Sequence, residues 1–288
     1  MNPNKDFSII IPHYNIPDML ERLLKSIPLK DNIEVIVVDD KSDKNIDRLE
    51  LIKKNYPNVV FLDNILSKGA GNSRNIGMSN AKGKWILFAD ADDYFTEDFY
   101  EIISKHVDDK EDVLFFYPTS ADSDTGLETD RHVEFCKILK RYFDNPTKKN
   151  ELCLRYELVA PWSKLIKRDM LIKYDIRFEN TPVANDVMFC RKIGLYSENI
   201  SVSEETIYVI VSREGSLTAG FDVERFDIRL DTFIRGGVLV KNNVDTETWK
   251  QLHMNGSYFL HIARINRLGI KKINEIIIKF MRAGIYII

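Results

Sequence analysis

The sequence predicts an α/β fold in which a mostly parallel sheet is flanked by helices and followed by a helical C-terminal segment. From Phe7 to Tyr117, short runs rich in β-branched residues alternate with amphipathic stretches. Continuous apolar runs of this kind are typical of strands covered on both faces. Regular alternation of strand and helix implies a parallel sheet with right-handed crossovers. After Phe221 the apolar residues recur at helical spacing instead.

Five apolar runs are the candidate strands of this sheet. The segment Leu20–Ile27 carries apolar residues at helical spacing and connects the first two runs, and Ile46–Ile52 does the same for the next pair. The predicted strands are Phe7–Pro12, Glu34–Asp39, Val59–Leu62, Trp85–Ala89 and Val113–Tyr117.

Acidic and polar residues follow three of the predicted strands. The first strand leads into Pro12–Asn15, the second into Asp39–Asp43 and the fourth into Asp90–Asp93. Ligands of open α/β sheets bind beyond the carboxyl ends of the strands, so we expect a ligand site here. Clustered carboxylates repel one another and are costly to leave unpaired. The pattern therefore predicts a divalent cation or a hydrogen-bonding ligand between them.

Asp90 and Asp92 alternate beyond a strand, a spacing that lets two oxygen ligands approach a hard cation such as Mg²⁺ or Mn²⁺. A nucleotide diphosphate would complete such a site. The alternative is a solvated acidic turn followed by a helix N-cap at Thr96. The position after Trp85–Ala89, in register with the acids of the second strand, favours the ligand site.

Composition and charge exclude several other classes of protein. The 288 residues include 41 Lys and Arg against 44 Asp and Glu, and the formal net charge of −3 provides no overall attraction for nucleic acid. The segment Met1–Asp6 lacks the apolar core of a signal peptide, and no uncharged stretch reaches the ~18 residues typical of a membrane span. Three cysteines without metal-ligand spacing (Cys136, Cys153 and Cys190) fit reduced thiols, so we expect a cytoplasmic protein.

Four motifs resemble family 2 glycosyltransferases of the GT-A fold and occur in the order found in that family. They are Ser8–Asn15, Val37–Asp43, Gly69–Gly77 and Phe88–Asp93. The resemblance continues to about Thr218 through three further segments: Pro161–Leu165, Asn185–Asp186 and Arg213–Ser216.

The resemblance implies a nucleotide-sugar site built on these motifs. Pro12 and Tyr14 would border the nucleobase and ribose, and Asp39 would accept a hydrogen bond from the base. Pro12 and Tyr14 could instead end a strand and pack, and Arg74 could be an ordinary surface residue of a helix. The other donor-side positions implied are Asn15, Asp40, Ser42, Arg74, Asp90 and Ala91.

The resemblance also implies a metal cofactor and a catalytic base. Asp92 would be the principal ligand of Mn²⁺ or Mg²⁺ in the DXD motif, with Asp90 touching the ribose or the metal. The family's acceptor-side pair reads Glu-Asp, and here it is Asn185-Asp186, which makes Asp186 the base. The alternative for Asp186 is a helix N-terminal residue ahead of Val187.

Further acceptor-side and loop residues follow from the same resemblance. Trp162 and Lys164 would form the acceptor pocket, although core packing is an alternative for Trp162. Arg213 and Ser216 follow the apolar run Ile207–Val211, and from that position they would lie in a loop that closes over the diphosphate, with an exposed loop as the alternative.

The implied activity is inverting, metal-dependent transfer of a sugar, with a UDP-sugar as the expected donor. The acceptor would be a hydroxyl of a glycan or lipid-linked saccharide in bacterial cell-surface polysaccharide synthesis. The alternatives are a sugar nucleotidyltransferase, which would release pyrophosphate, and a donor-binding protein without turnover. A dehalogenase-like phosphatase is disfavoured because its Asp-x-Asp follows the first strand and precedes Thr, unlike Asp90–Tyr94.

The expected domain organisation is a catalytic domain over residues 1–218 and a helical extension over 219–288. The catalytic domain divides into a nucleotide-sugar-binding half (1–117) and an acceptor-side half (118–218). Between His261 and Ile288, six basic residues accompany one acidic residue on an apolar helical pattern. Such a segment can rest on an anionic membrane, although terminal helices packed on the catalytic domain are the alternative.

Overall fold

The computed structural model describes residues 5–213, 220–252 and 254–287. Eight strands in this part of the chain form one sheet. They are β1 (Phe7–His13), β2 (Ile33–Asp39), β3 (Val60–Asp63), β4 (Trp85–Phe88), β5 (Tyr94–Phe95), β6 (Val113–Asp122), β7 (Lys164–Lys167) and β8 (Ile200–Ser212).

Twelve helices in the described residues flank and follow the sheet. The first eight are α1 (Pro17–Ser26), α2 (Ile46–Asn55), α3 (Ala70–Asn80), α4 (Phe99–Ser104), α5 (Val133–Asp144), α6 (Lys148–Glu157), α7 (Arg168–Lys173) and α8 (Val187–Tyr196). The C-terminal four are α9 (Val223–Asn243), α10 (Thr246–Gln251), α11 (Ser257–Ile265) and α12 (Gly269–Ala283).

The strand order is β3-β2-β1-β4-β7-β6-β8-β5. The pairs β2–β3, β1–β2, β1–β4 and β6–β8 are parallel, which confirms the predicted α/β fold and all five predicted strands. The other three pairs are antiparallel because β7 runs against both β4 and β6, and β5 runs against β8. The sequence did not predict β7, whose four residues begin and end with lysine.

Both faces of the sheet are covered, as the apolar runs predicted. Within β1, Phe7, Ile9 and Ile11 enter one hydrophobic core, whereas Ile10 enters the other. The alternation follows from the two-residue repeat of a strand. The first core includes the buried leucines of α1 and α2, and the second includes Met78 of α3. Because β1 pairs in parallel with β2 and with β4, the carboxyl ends of these three strands meet at one edge of the sheet.

The C-terminal helices form a third core. Leu230 of α9, Phe259 of α11 and Phe280 of α12 are buried together, and Leu152 of α6 joins them. Ile265, the last residue of α11, is largely exposed. Within the described residues, none of the helices combines the length and the hydropathy that crossing a bilayer requires.

Candidate active site

Asp39 ends β2 and is held by two neighbouring loops. His13 donates from Nδ1 to Asp39 Oδ1 at 2.8 Å, since its Nε2 accepts the N–H of Ile16 at 3.3 Å. The N–H and hydroxyl of Ser42 donate to Asp39 at 2.9 and 2.6 Å. Burial raises the pKa of Asp39, but the hydrogen bonds from His13 and Ser42 outweigh it, and the net pKa is lowered. Asp39 is therefore an ionised acceptor at the sheet edge.

Asn15 connects the loop after β1 to the loop after β2. It adopts a left-handed conformation with φ 59°, and its N–H donates to Ser42 Oγ at 2.9 Å. Its side-chain amide donates to Asp43 at 2.6 Å, and its carbonyl oxygen accepts the N–H groups of Asp43 and Lys44 at 2.9 and 3.0 Å. The hydrogen bond from Asn15 lowers the pKa of Asp43. Asn15 thus fixes the two loops that border Asp39.

The other predicted residues around this edge differ in exposure. Tyr14 is exposed, and the Lys68 ammonium lies 3.5 Å from its ring centroid, close enough for a cation–π interaction. Pro12 is partly buried and pairs with Val38 of β2. Ala91 is buried. Tyr14 is therefore the member of this group with an aromatic face at the surface.

Asp40 holds the start of α3. Its buried carboxylate accepts the N–H of Gly69 at 2.9 Å and the amide of Asn64 at 2.6 Å, and the Ser73 hydroxyl lies at 3.3 Å. A carboxylate at a helix N-terminus is stabilised by the exposed N–H groups and the helix dipole. Asp40 therefore orients the helix that carries Arg74.

Arg74 connects the acidic turn after β4 to the segment that precedes α8. Its Nη2 donates to Asp90 Oδ1 at 2.5 Å and its Nη1 donates to Asn185 Oδ1 at 2.9 Å. The guanidinium is buried and lies 5.2 Å from the ring centroid of Phe178. The alternative of an ordinary surface residue is therefore wrong for Arg74.

A buried network fixes the acidic turn after β4. Tyr208 donates its hydroxyl to Asp93 at 2.8 Å and accepts the N–H of Asp90 at 2.9 Å, while the N–H of Val211 donates to Asp93 at 2.7 Å. Burial raises the pKa of Asp93 well above its usual value, and the charges of Asp90 and Asp92 add to this. Tyr208 was not predicted from the sequence, although a tyrosine inside an apolar strand needs a hydrogen-bond partner.

Asp92 points towards the end of β8. Arg213 donates from Nε and Nη2 to Asp92 Oδ2, both at 3.1 Å. Arg22 of α1, which was not predicted, donates to the backbone oxygen of Asp92 and lies 5.3 Å from the ring centroid of Tyr94. The predicted loop residue Arg213 thus lies next to Asp92 of the acidic turn, whereas Ser216 lies outside the described residues.

Asp186 precedes the first residue of α8, as its helix N-terminal alternative stated, yet its side chain makes no capping hydrogen bond. Burial raises its pKa. The charges of Arg74 and Lys164 oppose this rise, and the charge of Asp90 adds to it, with a raised pKa as the net result. Asp186 therefore lies within electrostatic reach of the residues that surround the acidic turn.

Lys164 and Trp162 lie beneath this region. The Lys164 ammonium is buried and donates to the carbonyl of Leu158 at 3.1 Å, and burial lowers the pKa of Lys164. Trp162 stacks on Tyr208 with ring centroids 5.5 Å apart and meets Phe135 edge-on at 4.8 Å. Core packing is therefore the role that the contacts of Trp162 display.

The acidic turn suits a metal shared with a phosphate ligand. The described residues contain no group of three or more His, Cys, Asp or Glu side chains placed to hold a metal alone. Mg²⁺ commonly uses one or two carboxylates together with phosphate oxygens and water. Asp90 and Asp92 provide hard oxygen ligands of that number, so the residues fit Mg²⁺ or Mn²⁺ bound with a diphosphate.

The sequence of this chain is similar to a known protein family and to several characterised proteins. The model of the family described as Glycosyl transferase family 2 matches residues 8–175, more than half of the chain. The poly(ribitol-phosphate) beta-glucosyltransferase of Bacillus spizizenii is 31% identical over 219 residues, which cover 72% of this chain and 32% of that protein. The aligned part spans about a third of the length of the first curated relatives.

Solved structures share the fold. Staphylococcus aureus TarS 1–349 in complex with UDP-GlcNAc superposes with a TM-score of 0.63 at 19% identity, covering 96% of this chain and 89% of that one. The Pyrobaculum calidifontis mannosyltransferase PcManGT, in complex with GDP-Man and Mn²⁺, gives 0.58 at 17% identity, covering 83% and 65%. These likenesses confirm the GT-A-type fold.

Proposed function

The chain belongs to glycosyltransferase family 2, and on this premise we propose that it transfers a sugar from a nucleotide-sugar donor to an acceptor hydroxyl. The donor is a UDP-sugar, and the acceptor is a glycan or a lipid-linked saccharide of a cell-surface polysaccharide. Two relatives support this choice: one is a poly(ribitol-phosphate) beta-glucosyltransferase, and the other, Staphylococcus aureus TarS, is solved in complex with UDP-GlcNAc. The transfer inverts the anomeric centre.

The observation that carries the proposal is the position of Arg74. One guanidinium binds both Asp90 of the acidic turn and Asn185, the neighbour of Asp186. Rigid placement of the donor relative to the base is what a displacement reaction requires, because correct orientation alone lowers the barrier substantially. Arg74 supplies that connection across 111 residues of sequence.

The other residues of the proposed donor site each contact a different part of the nucleotide-sugar. Asp39 accepts a hydrogen bond from the nucleobase, and Tyr14 borders the base and ribose. Asp92, with Asp90, would hold Mn²⁺ or Mg²⁺, and PcManGT with bound Mn²⁺ supports this choice of ion. A cation held there would supply positive charge against the negative charge that develops on the leaving diphosphate. Arg213 lies next to Asp92 and provides a second positive charge for that diphosphate.

Asp186 is the general base of this proposal. A single displacement needs a group that accepts the proton of the acceptor hydroxyl as the sugar–oxygen bond forms. Burial raises the pKa of Asp186 towards the working pH, which strengthens it as a base, while Arg74 and Lys164 limit the rise.

The proposal is tested by product release. The purified protein is incubated with Mn²⁺ or Mg²⁺ and a panel of UDP-, GDP- and dTDP-sugars, with neutral and lipid-linked saccharides as acceptors. We expect one UDP-sugar to yield UDP in a metal-dependent manner together with a glycosylated acceptor. Pyrophosphate as the product would identify a nucleotidyltransferase instead. Absence of both turnover and calorimetric donor binding would refute the assignment.

We also propose that the protein works at the inner face of the cell membrane through α11 and α12. Tyr258, Ile265, Ile270 and Met281 are each more than half exposed on these two helices. Four basic residues of this region form no ion pair with any described residue. By contrast, Lys272 and Lys279 of α12 are paired with acidic side chains. The set comprises Arg264, Arg267, Lys271 and Arg282.

Vesicle binding tests this contact. We expect sedimentation with phosphatidylglycerol-containing vesicles but not with pure phosphatidylcholine, because each basic residue near an anionic surface contributes about 1 kcal/mol. Reversing Arg264, Arg267 and Lys271 to Glu should weaken binding by about 10²-fold or more. The matched control reverses the exposed Lys137, Lys140 and Lys149, an equal change of charge around α5 and α6. Equal loss in both variants, or none in the first, would contradict the proposal.

A further inference from the structure

A bidentate ion pair joins the C-terminal helices to the loop before Asp186. Arg235 of α9 donates from Nη1 to Glu179 Oε1, and from Nη2 to Glu179 Oε2 at 2.9 Å. The same Nη2 contacts the hydroxyl of Thr232 at 3.3 Å. The hydrogen bonds that Arg235 donates to the Glu179 carboxylate raise the pKa of Arg235. Two parallel N–H···O bonds fix direction as well as distance, so the pair restricts how Glu179 can move.

The backbone of Glu179 lies directly against the donor side. A Cβ atom added to Gly71 of α3 would lie only 2.2 Å from the carbonyl oxygen of Glu179. The N–H of Glu179 donates to the carbonyl of Asn185 at 3.3 Å. Residue 179 therefore touches both α3, which carries Arg74, and the residue that precedes Asp186.

The two residues on either side of Glu179 are held by α3 and by the loop before it. Phe178 exchanges two hydrogen bonds with the Asn75 side chain, both at 2.9 Å. Asn180 donates to the hydroxyl of Ser67 at 2.6 Å. The N-terminal end of the loop 179–186 is thus fixed from the donor side, and Arg235 is the residue that fixes it from the C-terminal helices.

Arg235 also borders an open groove at the surface. Arg235 and Thr181 line a groove of about 720 Å³ along α9. Ligand pockets have volumes of about 300–1,000 Å³. An acceptor lying in this groove would meet the loop 179–186 at the side on which Arg235 holds it.

From these contacts we propose that Arg235 is a positioning residue for sugar transfer. Through Glu179 it holds the loop 179–186 in the conformation that presents Asp186 to the acceptor. The proposal rests on the proposed function for its catalytic consequence. The ion pair is partly exposed, with side-chain exposures of 43% and 26%, and such pairs contribute little to folding. Its loss should therefore change turnover without changing the fold.

The decisive variants are Arg235→Met and the charge reversal Arg235→Glu with Glu179→Arg. We expect Arg235→Met to lower kcat by about 2- to 30-fold, the range that coupling through such a contact supplies. The affinity for UDP and the melting temperature should stay unchanged, and the reversed pair should recover most of kcat. Arg177→Met is the matched control, because Arg177 is 44% exposed and its hydrogen bonds go to Asp175 and to Ser79 rather than to residues 179–186.

Amide hydrogen exchange separates the failure of this inference from the failure of the proposed function. Arg235→Met should speed exchange of the amides of residues 179–186, and Arg177→Met should not. This readout does not need an active enzyme. Unchanged exchange, unchanged kcat in Arg235→Met, or a reversed pair no better than the single variant would each overturn the positioning role. If the wild type transfers no sugar while the exchange result holds, only the proposed function fails.

Discussion

Asp186→Asn should transfer sugar about 10²–10⁴-fold more slowly than the wild type and bind the donor equally well. Asparagine has the shape of aspartate but cannot accept the proton of the acceptor hydroxyl. It also serves as well as aspartate at a helix N-terminus, and Asp186 makes no capping bond that could be lost. Steady-state kinetics with saturating acceptor, together with calorimetric titration of UDP, measures both quantities.

The dependence of kcat on pH provides a second test of Asp186 as the general base. Its pKa is raised above the ordinary 3.8 by burial. A carboxylate accepts a proton only when it is ionised, so kcat should rise as the pH increases through this raised pKa and should be low at pH values below it. The acid limb should therefore lie at a higher pH than an exposed aspartate would give. In Asp186→Asn the residual rate should lack that limb.

Asp245→Asn is the matched control for Asp186→Asn. Asp245 also stands before a helix, α10, but lies exposed in the C-terminal region. Its substitution should leave kcat and the pH profile unchanged. A transfer rate in Asp186→Asn equal to that of this control would remove Asp186 from the mechanism.

Local pattern was enough to predict the parallel strands β1, β2 and β4. The β-branched runs Phe7–Pro12 and Glu34–Asp39 are buried on both faces, so their sequences carry the strand signal without interruption. Since these strands are parallel, the positions of Asp39 and Asp90 at one edge followed from order alone. The contacts of Arg74 with Asp90 and Asn185 could not be predicted in this way, because the residue spacing of α3 does not show which of its side chains are buried.

Contacts between distant segments were beyond the sequence. Tyr208 is 115 residues from Asp93, and Arg213 is 121 residues from Asp92. Sequence periodicity gives no signal for either contact, because each depends on where β8 joins the sheet. That position is set by β7, which lies antiparallel between β4 and β6. The sequence of β7 is only four residues long and has a lysine at each end, so it is not recognised as a strand.

Replacing Asp92 with asparagine is the second large effect that we expect. The neutral amide is a weaker ligand for a hard cation, so metal-dependent turnover should fall by about 10²–10³-fold. Mn²⁺ affinity, titrated calorimetrically in the presence of UDP, should fall as well. The ion pair of Asp92 with Arg213 is partly exposed and contributes about 0–1 kcal/mol, so the melting temperature should hardly change. Asp98→Asn, an exposed acid of the same segment, is the control.

Arg213→Met distinguishes metal binding at Asp92 from simple disturbance of the acidic turn. Arg213 and a metal ion are both cations that compete for the carboxylate of Asp92, since Arg213 already donates two hydrogen bonds to one of its oxygens. Mn²⁺ affinity measured without nucleotide should therefore not fall in Arg213→Met, whereas it should fall in Asp92→Asn. Equal losses in the two variants would mean that the turn needs the ion pair itself, and the assignment of Asp92 as the metal ligand would be wrong.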